Sequence, residues 1–363
     1  MSSRPQRRPA PAPLPAPVVT IALIALNVIA FAIEVALGAD PMSPTPGKLL
    51  ALGANQAPFT LGGEPWRLVT AMFLHAGLIH LVVNMYGLWA TGQLVERMYG
   101  RAGFVALYLL AGLGGGLATV LRHTMTPSVG ASGAIFGVFA ALGAWLLIHR
   151  DRIDRKALRL ATSNLLVVLA INVYLGLRIP SIDMAAHVGG LVVGFAVAIA
   201  LEWRRVPPAR SMTRLAAVTA VGLAAIAAAV FALRQPSSGA DLARAVNDFS
   251  DMEHRTGAIF NDLIRKSKAH EINDADIARH MEADVLPPWR AMHERLAALA
   301  EPPAKLKELH DSLGAYVDAR LAYWNAVDRL AHGEELTGPP LSELERQANL
   351  ALMRLQHALD QRR

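Results

Sequence analysis

Four polar side chains stand inside otherwise apolar stretches at spacings that suit acyl-transfer chemistry. Ser132 lies in Val129-Gly-Ala-Ser-Gly-Ala-Ile-Phe-Gly137, at the head of a run that is apolar to Ile148 but for the serine. His187 lies in Ala186-His-Val-Gly-Gly190, and His80 and Asn84 occur in His80-Leu-Val-Val-Asn84. A serine hydroxyl is a weak nucleophile until a base takes its proton. A neutral imidazole can take it at ordinary pH and return it to a leaving amine. The attacked carbonyl becomes an oxyanion and requires preorganised donors, for which the Ser132 backbone N–H, the Asn84 amide and the His80 imidazole are the right types. His80 and Asn84, four apart, share one helical face. Gly-Ala-Ser-Gly taken alone reads more simply as helix-packing surface, since Gly133 and Gly137 repeat in the small-xxx-small pattern. The coincidence with three further polar groups in other spans favours chemistry.

The elements that position these groups are membrane helices. The chain has 363 residues, 53% of them hydrophobic, and the apolar residues gather in runs of about twenty, enough at 1.5 Å per residue to cross a hydrocarbon core. Seven spans are expected: 18–37, 69–94, 104–121, the Ser132 run, 160–177, 184–203 and 215–233. The first is taken as a membrane helix rather than a secretory signal because it is long for a signal core and is followed by more spans. Polar residues in lipid are costly unless they face an inward site, which singles out His75, His80 and Asn84 in the second span. Gly190 and Gly194, one and two turns beyond His187, would let the sixth span approach the Gly133–Gly137 face of the fourth. Gly130 and Gly133 bracket Ser132 and admit another backbone close to its hydroxyl. Asp183 precedes His187 by four residues but is expected to be solvated at the membrane edge, which leaves a Ser132–His187 dyad.

Charge sorts with topology. Residues 1–239 carry 19 Lys+Arg against 8 Asp+Glu, and residues 240–363 carry 16 against 21. The basic clusters fall after the second, fourth and sixth spans, at Arg97 and Arg101, at Arg150 to Arg159, and at Arg204, Arg205, Arg210 and Arg214. A cytoplasmic N-terminus satisfies the positive-inside rule, and an odd number of spans then places the C-terminal part outside. The basic excess thus belongs to the membrane and does not argue for nucleic acid. There is no cysteine, so disulfides and thiolate metal sites are excluded.

Four segments follow: a basic Pro-rich cytoplasmic tail over 1–17, a six-helix core over 18–205, a seventh membrane helix with its connector over 206–235, and a soluble helical domain over 236–363. The last shows apolar residues at three- and four-residue spacing. Pro287-Pro288 is expected to break or kink its second helix, and Ser342-Glu-Leu-Glu345 is expected to form a capping box. Its seven histidines lack paired ligand spacing, and no metal or cofactor is expected.

At this point the residues resemble a family. Gly130-Ala-Ser-Gly133, Ala186-His-Val-Gly-Gly190 with Gly194, His80-Leu-Val-Val-Asn84 and Glu64-Pro-Trp-Arg67 together look like the rhomboid intramembrane serine proteases, over about residues 18–205. The resemblance implies an all-α polytopic fold, here a six-helix rhomboid core with one added C-terminal transmembrane helix and a soluble helical bundle. It implies that Ser132 attacks, that His187 is its base and that His80 and Asn84 help bind the oxyanion. It further implies that Phe136 lies beside the catalytic histidine, that His75 stabilises the fold, and that Trp66-Arg67 is a structural loop motif.

The expected activity is cofactor-free hydrolysis of peptide bonds in or near transmembrane segments of membrane proteins. The alternative is an inactive rhomboid-like escort that binds such proteins without cutting them. A transporter is disfavoured because no inverted repeat or pair of broken helices is present. Expected partners are transmembrane substrates and the lipid bilayer, with the C-terminal domain serving substrate recruitment or self-association. The expected location is the inner (cell) membrane of a bacterium, with that domain periplasmic or extracellular.

Overall fold

The computed structural model describes residues 16–122, 125–179, 182–202 and 212–361. The expected Pro-rich tail, apart from its last two residues, and the basic connector at Arg204, Arg205 and Arg210 lie outside the described residues. The chain is all-α, and six helices are long and apolar enough to cross a membrane. They are α1 (Val18–Ala36), α5 (Leu78–Arg122), α6 (Ser132–His149), α7 (Arg155–Arg178), α8 (Met184–Glu202) and α9 (Met212–Ala232).

Helix α5, 45 residues long, holds both the second and the third expected spans. Its run breaks at Gly100, whose φ of 74° and ψ of 166° lie outside helical geometry. Left-handed φ costs glycine nothing and other residues much. The chain therefore doubles back, and each 22-residue limb is about 33 Å long. Both limbs meet α6 near Ser132. A Cβ on Gly87 would lie 3.5 Å from Ile135, and one on Gly112 would lie 3.3 Å from the Ala134 Cβ. At the far end the Tyr99 hydroxyl donates to the Ala141 carbonyl at 3.1 Å.

The membrane core is the packing of α5, α6 and α8 around Leu88, Phe104, Leu107, Tyr108, Val138 and Ala198. Small residues bring these helices together, as they must where lipid offers no hydrophobic drive between them. Helix α1 is tied to the α5 turn by a carboxylate. Glu96 accepts from the backbone N–H groups of Val19 and Thr20 at 3.0 and 2.8 Å, and from the Thr20 hydroxyl at 2.8 Å. These are first-turn donors with no partner inside α1, and a negative charge is favoured there. Helix α9 packs on the second limb of α5, where Gly222 meets Leu110 and Val230 meets Leu68 and Leu113. Helix α7 buries none of its residues.

Residues 38–68, read from sequence as a loop leading into a span from Val69, fold together with the residues up to Gly77 into α2 (Pro46–Leu52), α3 (Ala57–Leu61) and α4 (Arg67–Thr70). The second span accordingly begins only at Leu78, which moves His75 out of it into the turn ahead of α5. The delay has a backbone cause. Gly77 has φ +106°, Leu78 donates to the Pro41 carbonyl at 2.8 Å, and a Cβ at Gly77 would overlap the Met42 carbonyl. Arg67 organises the segment from within: its guanidinium donates to the carbonyls of Leu50 and Ala54 and to Glu64 at 2.7–3.0 Å, and stacks on Phe59 and Trp66.

Beyond α9 come α10 (Ser237–Lys268), α11 (Asp274–His280), α12 (Leu286–Ala297), α13 (Lys307–Ala331) and α14 (Leu341–Asp360). They enclose a second core, with Trp289, Tyr316, Trp324 and Phe249 in edge-to-face contact. The Pro287-Pro288 break takes the form of a π-helical turn over Met281–Val285, after which the prolines occupy the first turn of α12, where no N–H is needed. The expected capping box at Ser342 is not formed: α14 starts at Leu341, and Glu343 instead accepts from Arg346 and Gln347. Pro340 already fixes the entry, which makes Ser342 helical. The capping box occurs at Asn273 and Asp276.

Candidate active site

Ser132 opens α6, half-buried, and the first N–H groups of that helix have no carbonyl four residues back. What precedes it is held from outside. Ser128 and Asn55 exchange backbone hydrogen bonds at 2.8 and 3.0 Å, and the Gly130 N–H donates to the Ala71 carbonyl at 2.8 Å. Asn55 is itself fixed by Thr60 and by the Gly116 carbonyl. The folded segment around Arg67 thus sets the register of the strand-like approach to the serine.

His187 lies in the first turn of α8 and is 6% exposed. Two glycine faces interlock beside it. A Cβ at Gly190 would overlap the Gly133 carbonyl, and one at Gly194 would overlap the Gly137 Cα. Gly115 joins them from α5, 3.3 Å from Gly133 and 2.7 Å from the Ala186 carbonyl measured at the same hypothetical Cβ. The residues after Ser132 and before His187 are therefore in backbone contact through α5. Phe136, one turn below Ser132 on the same face of α6, stacks on His187 with centroids 4.0 Å apart and planes 13° from parallel. His187 Nδ1 is buried and has no hydrogen-bond partner among the described residues.

His80 and Asn84 come from the first limb of α5 and meet Gly130. A Cβ there would stand 2.7 Å from His80 Cε1, 2.9 Å from its Nε2 and 3.3 Å from Asn84 Nδ2. Gly130, at φ +121°, is needed both for its backbone angle and for this close approach. Asn84 is 6% exposed, and its Nδ2 is a buried donor without a partner. An orphaned buried amide costs folding free energy. His75, fully buried, packs edge-on against His80 at 5.3 Å. Its own N–H donates to Glu34 of α1, and its ring contacts the Phe73 carbonyl.

The structure corrects one sequence reading. Asp183 is not a free solvated carboxylate: it accepts from the Thr119 and Ser128 hydroxyls, both at 2.6 Å, and from the Ala186 N–H at 2.9 Å. Its partners lie 64 and 55 residues away, so no local pattern announces them. Glu96 was invisible for the same reason.

Glu282, Asp328 and His332 place ligand-type atoms within 4.8 Å of one another. The Asp328 carbonyl, accepting from Nδ1, and the surrounding acids hold His332 above its ordinary imidazole range.

Residues 62–204 match the family described as Rhomboid domain. The chain is 39% identical over 182 residues to Rhomboid protease GluP of Bacillus subtilis, covering 50% of this chain and 34% of that protein. It is 39% identical over 161 residues to RHOMBOID-like protein 6, mitochondrial, of Arabidopsis thaliana, covering 44% and 51%. It is 29% identical over 203 residues to Rhomboid protease AarA of Providencia stuartii, covering 50% and 72%. The chain thus spans about a third to a half of the first two relatives. Residues 62–204 of this integral membrane protein thus resemble the rhomboid domain, and the rest of the chain lies outside that match.

Proposed function

We propose that the protein is an intramembrane serine endopeptidase that cleaves peptide bonds in or near transmembrane segments, with Ser132 as nucleophile and His187 as base. One observation carries the reading: two unpartnered buried groups, His187 Nδ1 and Asn84 Nδ2, flank the first turn of α6. Ser132 Oγ adds to the substrate carbonyl carbon while His187 takes its proton. The negative oxygen is then received by Asn84, His80 and the free N–H groups of α6, aided by the positive end of that helix. His187 returns the proton to the departing amine. Water, deprotonated by the same imidazole, hydrolyses the serine ester and restores the hydroxyl. With its Nδ1 unpartnered, the pair works as a dyad.

Water reaches the serine from the membrane face at which α6 begins. Substrates enter laterally past α7, the helix that buries no residue. Segments with helix-weakening residues are favoured, because a helix keeps its carbonyls bonded. The Lys/Arg distribution supports a cytoplasmic N-terminus with residues 236–363 on the other side of the membrane.

The test is labelling of detergent-purified protein with a fluorophosphonate, alongside Ser132→Ala and His187→Ala. Labelling of the wild type alone is the expected result. A folded wild type that neither labels nor cleaves a model membrane substrate in liposomes would replace this reading with the escort function.

A further inference from the structure

Asp183 joins three elements that carry the reactive groups. Its Oδ1 accepts from the Ala186 N–H in the first turn of α8, and its backbone carbonyl accepts from the His187 N–H at 3.2 Å. An aspartate before a helix, bonding to the third residue inside, is a strong N-cap. The cap thus holds the turn that bears His187. Its Oδ2 accepts two hydroxyls: Thr119, near the end of the second limb of α5, and Ser128, four residues before Ser132. Hydrogen bonds to an ionised acceptor are about twice as strong as neutral ones. Thr119 also donates toward the Gly115 carbonyl at 3.2 Å, so the limb that presses Gly115 between Gly133 and Ala186 is held by the same carboxylate.

Ser128 is pinned on its other side by Asn55, and Gly130 by Ala71. The approach to the serine from Ser128 is therefore fixed at two backbone points to the folded segment and at one side chain to Asp183 ahead of α8. Only the last of these refers the serine to its base. Remove it, and the loop keeps its attachment to Asn55 and Ala71 while α8 keeps its glycine contacts. The distance between Ser132 and His187 then rests on the glycine interlock and the Phe136 stack without the tether from the serine loop.

We infer that Asp183 is a positioning residue: one carboxylate caps the histidine helix and, through Ser128 and Thr119, sets the serine loop against it. It touches neither the substrate nor the reacting atoms, and the inference rests on the proposed protease reading. A displacement of about 1 Å in such a pair costs roughly a hundredfold in rate, and partial loosening costs less.

The test uses the full chain and compares wild type, Ser128→Ala, Thr119→Val, Asp183→Asn and Asp183→Ala. Each is assayed for thermal unfolding, for the second-order rate of fluorophosphonate labelling, and for kcat and KM on a model membrane substrate. Asn still caps a helix, so Asp183→Asn is the variant that keeps α8 intact while weakening the tethers. Expected for Ser128→Ala and Asp183→Asn is a fall of about tenfold in labelling rate and kcat, with KM and the unfolding temperature near wild type. The Ser128→Ala effect should vanish in the Asp183→Ala background, the signature of one shared interaction. A merely structural Asp183 would lower the unfolding temperature and leave the rate per folded molecule unchanged, which would overturn the inference. Additive effects of the Ser128 and Asp183 variants would overturn it as well. An unlabelled wild type would sink the protease reading itself, which is a different outcome from a labelled wild type whose Ser128→Ala variant reacts equally fast.

Discussion

The Phe136 ring lies flat on the His187 imidazole, 4.0 Å between centroids, with Phe136 itself only 4% exposed. The stack restrains the ring that, on the proposed reading, points one nitrogen at a hydroxyl a turn above. An aromatic pair of this kind is worth roughly 0.5–1.5 kcal/mol beyond its buried area. Phe136→Leu keeps most of the volume and loses the stack. Its expected effect is a labelling rate roughly two- to tenfold lower in protein that still unfolds cooperatively, read by probe kinetics and calorimetry together.

Asn84 offers a buried donor with no resting partner. If it receives the oxyanion, Asn84→Ala should cost about a hundredfold in kcat with little change in KM. Because the orphaned amide is a burden in the resting fold, the same variant should unfold at an equal or higher temperature. Unchanged kcat in liposome assays would remove Asn84 from the proposed machinery.

The glycine interlock makes a sharper claim. Gly190→Ala would drive a methyl into the Gly133 carbonyl, where only backbone movement can relieve it. A loss of about 1–3 kcal/mol in stability is expected, together with loss of labelling. Gly257, mid-helix in α10 with nothing within 4 Å of its Cβ position, is the control. Gly257→Ala should stabilise the protein by up to about 1 kcal/mol and leave labelling unchanged.

The C-terminal bundle is seated on the same face as the serine. Ala240 and Ala243 of α10 pack with Leu50, Phe59 and Leu74, with Val129 beside them. The Gln235 N–H donates to the Leu61 carbonyl, and Arg244 pairs with Glu64 at 2.5 Å while Glu64 also holds Arg67. Arg244 is 45% exposed, so its ion pair is worth at most about 1 kcal/mol. Arg244→Ala should therefore lower the unfolding temperature slightly at low salt and match wild type at about 1 M salt, where the Debye length is about 3 Å. A salt-independent difference would mean that the Arg244 side chain, its guanidinium lying over the Phe59 ring, contributes more through that contact than through its ion pair.

Much of this protein is written locally. Apolar runs of bilayer length specify membrane helices whatever surrounds them, because an unpaired backbone cannot stay in hydrocarbon. Ser132, His187, His80 and Asn84 were legible for the complementary reason: polar groups in such runs are costly, so each stands out against its neighbours. Glycines at four-residue spacing foretold which helix faces would touch. What tertiary structure alone decided are relations between groups far apart in the chain. Glu96 caps α1 from 76 residues away, Asp183 gathers Thr119 and Ser128, and Glu64 reaches Arg244 across 180 residues. An isolated Asp or Glu reads from sequence as solvated, since its partners are chosen by packing. Likewise the segment 38–68 is Gly- and Pro-rich and reads as loop, yet folds because Arg67 finds two carbonyls and two rings to bind. Periodicity records which face a residue occupies, and only the assembled helices decide what that face meets.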